Sequence, residues 1–114
     1  MTKKIFTIPL YYGKLTVYIV EDWNYLIKKH KLNFPCKPEN AGGCVFPDGQ
    51  DVVIVIIKSQ ICPVVLAHET VHVVNEIYKC RGIQLDTEND EPQAYLTGWV
   101  FDKVFRTVYP DFKI

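Results

Sequence analysis

The stretch Cys62-Pro-Val-Val-Leu-Ala-His68-Glu69-Thr-Val-His72-Val-Val-Asn-Glu-Ile-Tyr-Lys-Cys80-Arg-Gly82 decides how the rest of the chain is read. Pro63 suits the first turn of a helix, where its missing N–H costs nothing, and Gly82 suits a stop just after Cys80. The two bound a helix of about 18 residues. Val64, Val65, Leu66, Val71, Val73, Val74 and Ile77 leave only a thin polar strip at Asn75, Glu76 and Lys79. A helix apolar almost all round is expected to be central. Within two turns it also carries three ionisable side chains, His68, Glu69 and His72.

Working outward toward the N-terminus, Asp51-Val-Val-Ile-Val-Ile-Ile-Lys58 has no polar alternation, which predicts a strand buried on both faces near the middle of a sheet or beneath the helices. Gly43-Cys-Val-Phe46 precedes it across Pro47-Asp48-Gly49-Gln50, a turn sequence in which Pro presets φ and Gly takes a positive φ. Residues 33–43, with Pro35, Pro38, Asn40 and two glycines, read as a loop. From Glu21 to about Leu32, the positions Trp23, Leu26, Ile27 and His30 fit one face of a short amphipathic helix. Ile5-Phe-Thr-Ile-Pro-Leu10 and Leu15-Thr-Val-Tyr-Ile-Val20, separated by Tyr11-Tyr-Gly-Lys14, read as a second hairpin, with Pro9 at an edge or a strand end. On the C-terminal side a last helix starts near Asn89 or Asp90, with Pro92 in its first turn, and runs toward Thr107. The expected architecture is α+β: a small antiparallel sheet packed against a pair of helices, plus one short helix.

At 114 residues the chain suits one domain, taken as residues 1–114. Thirteen basic residues balance thirteen acidic ones, so no global field draws it to nucleic acid or an anionic membrane. Charge is nonetheless segregated. The first forty residues hold seven lysines against three acids, whereas Asp86, Glu88, Asp90 and Glu91 crowd a later segment. No run reaches the roughly 18 apolar residues of a membrane span, and the N-terminus lacks the features of a signal peptide, so a cytoplasmic location is expected. The four cysteines, Cys36, Cys44, Cys62 and Cys80, form no C-x-x-C pair and are read as free thiols, although Cys36 and Cys44 are close enough in sequence to be bridged around a loop. Cys62 and Cys80 flank the helix and stand on the order of 27 Å apart, too far to share a bond or an ion.

His68 and His72 stand at i and i+4, where side chains about 5–6 Å apart point to the same side of a helix. One ion can bridge them, because zinc takes imidazole nitrogens at about 2.0–2.1 Å. In H-E-x-x-H sites the glutamate, here Glu69, acts as general base rather than ligand. The bland alternative is a pair of satisfied core histidines with Glu69 in a polar gap. It leaves three buried polar groups needing partners, at about 1–3 kcal/mol for each one unpaired. A catalytic zinc needs a third protein ligand. His30, in a basic run before the loop, is the only histidine left, so a carboxylate is the better candidate. Glu91 lies 19 residues beyond His72, enough for the helix to end and a second to return beside it. Glu88 and Asp90 are its rivals.

His68-Glu69-Thr-Val-His72 with Glu91-Pro-Gln-Ala94 resembles the gluzincins, zinc metallopeptidases in which an H-E-x-x-H helix is followed by a helix bearing a glutamate ligand. The E-x-x-A spacing resembles the small ImmA/IrrE-type proteases, and Asn89-Asp-Glu-Pro-Gln-Ala-Tyr95-Leu96 is similar to small H-E-x-x-H proteins of phage and prophage genomes. The resemblance covers residues 62 to about 100. It implies a zincin-like helix pair, Zn2+ held by His68, His72 and Glu91, hydrolysis of a peptide or protein substrate, and residues 51–58 as a strand above the zinc that a substrate peptide joins by β-augmentation. An augmenting strand needs a free edge, which conflicts with the fully buried strand read from the residues. The chain departs from many relatives at Tyr95, where they carry Asp or Asn. Tyr95, Tyr78 and His30 are the candidate transition-state donors. The competing expectation is a non-catalytic, zinc-stabilised module that binds a protein partner through exposed aromatics such as Tyr11, Tyr12 or Tyr109.

Overall fold

A computed structural model describes residues 1–24, 28 and 42–113. Four strands and two long helices form an α+β unit: β1 (Thr2–Thr7), β2 (Lys14–Val20), β3 (Gly43–Asp48), β4 (Asp51–Ile57), a 3-10 turn (Lys58–Gln60), α1 (Pro63–Cys80) and α2 (Glu91–Val108). Beyond Glu21–Asn24 and Lys28, the short helix expected over 21–32 and the loop expected over 33–43 lie outside the described residues up to Ala41.

The sheet order is β1-β2-β4-β3. Both expected hairpins are present and antiparallel, but β2 and β4 run parallel, from Leu15 beside Val52 to Val20 beside Ile57. The sheet is therefore mixed rather than antiparallel. β3 runs down the far edge, and β4 turns back into the slot between β3 and β2. This interior position is why Val52 to Ile57 needs no polar alternation: Val52, Ile54 and Ile56 join the helix-side core with Leu15, Val17 and Ile19, while Val53, Val55 and Ile57 pack with Tyr18, Val20 and Phe46 on the other face. Pro47 lies in edge strand β3, where a missing donor is tolerated, and the two-residue turn is Gly49-Gln50, with Gly49 at φ +61°. Pro9 follows the end of β1.

Helix α1 begins after an extended Cys62 with Pro63 in its first turn. It ends in a Schellman motif, in which the Ile83 N–H donates to the Tyr78 carbonyl at 2.9 Å and the Gly82 N–H to that of Lys79 at 3.2 Å, with Gly82 at φ +67°. Only one side of this helix enters the core. Leu66, Val73, Val74, Ile77 and Tyr78 are buried, but Val64 and Val71 are 75% and 53% exposed. The expectation of an all-round buried helix is corrected: valines here also occupy solvent positions, and α1 lies on the sheet rather than inside it. Helix α2 packs beside it, contributing Leu96, Val100 and Val104 to the same core. Among the described residues no helix is long and apolar enough to cross a membrane.

One side chain ties the ends of three elements together. Arg81, the residue that caps α1, donates from Nε to the Tyr11 carbonyl at 2.7 Å, and from a terminal nitrogen to the carbonyls of Tyr12 and of Gln50, the latter at 2.8 Å. Gly13 must remain glycine beneath it, because its φ is +86° and an added Cβ would stand 2.5 Å from both the guanidinium and the Gln50 oxygen.

Candidate metal centre

Along α1, successive side chains turn by about 100°. Leu66, Val73 and Ile77 point to the sheet, and Ala67, Thr70 and Val71 line a groove shared with Asp90, Gln93, Ala94 and Thr97 of the second-helix region. On the opposite flank Val65 and Glu69 abut Gly42 and Gly43 at the start of β3. His68 and His72 fall between these flanks and are exposed. Contrary to the expectation of three buried polar groups, the two imidazoles are free to be hydrated, and Glu69 alone of the three is buried, at 6% exposure.

The helix brings the histidines together closely. Their Nε2 atoms are 3.1 Å apart, with ring centroids at 4.7 Å and planes inclined by 76°. At that separation one neutral ring can donate Nε2–H to the other. It is also a separation for two ligands of one ion: nitrogens each about 2.05 Å from a zinc and 3.1 Å apart subtend about 98° there, near the tetrahedral value of about 109°. The pair fits zinc.

Glu69 is built into the flank by a glycine. A Cβ added at Gly43 would come within 2.8 Å of the Glu69 Cγ, 3.1 Å of its Cδ and 3.1 Å of the Val55 carbonyl oxygen. Gly42 likewise lets the chain pass Val65, whose methyl would meet an added Cβ at 2.9 Å. The Gly42-Gly43 pair thus serves a close approach of strand to helix, a role that glycine at the start of a strand can signal and that a loop reading hides. Among the described residues no donor engages the Glu69 carboxylate. Burial pushes its pKa above the usual carboxylate range, and the charges of His68 and His72 pull partly the other way.

The other residues singled out in the sequence lie apart from this pair. Glu91, at the first position of α2, and the 77% exposed Tyr95 line a cavity with Pro9, Leu10 and Tyr11 of the β1–β2 loop, and neither histidine is among the residues lining it. Asp90 lines the groove between α1 and α2. Asp86 accepts the backbone N–H of Glu88 at 2.9 Å in an exposed turn. Among the described residues no three His, Cys, Asp or Glu side chains are gathered around one point. Tyr78 is buried against Tyr11, and His30 lies outside the described residues. Tyr12 and Tyr109 are exposed, and Tyr11 is half-buried. Comparison with known protein families, curated proteins and solved structures finds no match to this chain.

Proposed function

We propose that the chain is a zinc-dependent hydrolase of peptide bonds, in which His68 and His72 hold the ion and Glu69 is the general base. The observation that carries the reading is the 3.1 Å convergence of the two Nε2 atoms beside the largely buried Glu69 side chain. When bound, zinc acidifies water and polarises a substrate carbonyl. The imidazoles supply ligands already aligned by a helical turn, so little ordering entropy is lost on binding. Glu69, desolvated against β3, accepts a proton from the attacking water at a carboxylate oxygen and returns it to the departing amine nitrogen.

In this reading a substrate peptide adds to β3. The strand above the site is not 51–58, which is interior, but the edge strand whose Gly43 touches Glu69. Glu91, the third ligand implied by the resemblance, stays with its own cavity, so the described residues supply two of the three protein ligands that a catalytic zinc ordinarily takes. That same observation favours a second reading, a zinc-binding module without turnover. Glu69→Gln separates them. Under the hydrolase reading the variant keeps its zinc and loses peptide cleavage; under the module reading wild type cleaves nothing and the variant is indistinguishable from it.

A further inference from the structure

A cavity of about 440 Å3 lies between the β1–β2 loop and the first turns of α2, within the size range of small-molecule sites. The residues lining it include the aromatics Tyr11, Tyr95 and Trp99, the apolar Leu10 and Pro92, and one acid, Glu91. Among the described residues no lysine, arginine or histidine lines it. Aromatic rings carry negative faces that attract cations, and a cluster of them around a carboxylate is a setting for an organic ammonium group. The helix N-terminus at Glu91 contributes only about half an elementary positive charge. The carboxylate there outweighs it, with Asp86, Glu88 and Asp90 in the adjoining sequence.

The cavity is held in shape by costly backbone. Leu10 and Tyr12 occupy φ values of +67° and +32°, a region that side chains other than glycine rarely adopt, and Leu10 is 96% exposed there. Arg81 fixes the loop through the carbonyls of Tyr11 and Tyr12, and the Tyr11 ring rests on buried Tyr78 with centroids 5.8 Å apart. Trp99 is held edge-on to Phe6 at 6.5 Å, and the Lys103 ammonium already stands 5.9 Å from its ring centre. That ammonium is paired with Asp102 at 3.7 Å and does not line the cavity.

We propose that this cavity is a binding site for a small organic cation, an ammonium group on an apolar body, with Glu91 as counter-ion and Tyr11, Tyr95 and Trp99 as the cage. The site is independent of the histidine pair.

The test titrates the full chain with benzyltrimethylammonium and with its neutral isostere neopentylbenzene, reading affinity by calorimetry and location by the Trp99 indole N–H signal in NMR. The cation is expected to shift the Trp99 signal and to bind at least about tenfold more tightly than the isostere. Glu91→Gln should weaken the cation by about tenfold and leave the isostere unchanged; Tyr95→Ala should weaken the cation by about threefold or more. Both side chains are exposed, so neither change threatens the fold. Equal affinity for cation and isostere, an unmoved Trp99 signal, or Glu91→Gln without effect on the cation each overturns the proposal. Zinc content read on the same samples reports on the histidine pair separately.

Discussion

Replacing Gly43 by alanine tests whether the start of β3 is shaped around Glu69. The added Cβ would fall 2.8 Å from the Glu69 Cγ, inside any ordinary contact distance, and 3.1 Å from the Val55 carbonyl, which belongs to the interior strand and cannot easily retreat. Overpacking of this kind costs about 1–3 kcal/mol. Gly43 has no positive φ, so its backbone suits alanine, and the smaller unfolded-state entropy of alanine returns about 0.4–1 kcal/mol. A net loss of about 1–2 kcal/mol is expected. The informative experiment is the double-mutant cycle with Glu69→Ala, which removes the Cγ and Cδ that the new methyl would strike. If the two residues are fitted to each other, Gly43→Ala is milder in the Glu69→Ala background, with a coupling of about 1 kcal/mol in urea denaturation. Additivity within about 0.5 kcal/mol would refute the fitted approach and remove the physical basis for holding Glu69 beside the histidines.

Glu69 also sets a dependence on pH. Its pKa is raised in the folded protein from an ordinary value near 4.5, so the folded state binds the extra proton between the two values. Stability of the zinc-free protein should therefore fall as pH rises from about 4.5 through the folded pKa and then level off, and Glu69→Gln should remove that fall, as measured by urea denaturation in chelator. Burial and a hydrogen bond with Tyr11 push the Tyr78 hydroxyl up to about 12. Here too the folded state holds the proton more tightly, so stability is full below pH 10 and declines toward about pH 12; Tyr78→Phe should flatten that alkaline limb. Arg81→Met removes the guanidinium that joins the β1–β2 loop, the β3–β4 turn and the end of α1, and a loss of about 2–3 kcal/mol in denaturant unfolding is expected.

The features legible in the sequence are those governed by local chemistry. Pro63 and Gly82 bound α1 because each has a backbone preference that acts within its own turn, and the unbroken run Val52 to Ile57 marked an interior strand because only such a strand buries both faces. The parallel seam between β2 and β4 was not legible, since neither strand's own residues specify its distant neighbour. Nor was the one-sidedness of α1: Val64 and Val71 are as apolar as Val73, and only the sheet's position decides which of them meets solvent. At the site, i and i+4 spacing was enough to bring His68 and His72 together. The fitting of Glu69 against Gly43 and the placement of Glu91 beside Leu10 and Tyr95 depend on how separate elements pack.

Whether His68 and His72 hold zinc is tested most directly by elemental analysis of the purified full chain beside its His68→Ala and His72→Ala variants. About one zinc per chain is expected in wild type and loss of that zinc in either variant, with the far-ultraviolet circular dichroism unchanged because both side chains are exposed. Wild-type protein without stoichiometric zinc, or zinc that survives both substitutions, would contradict zinc binding by the pair.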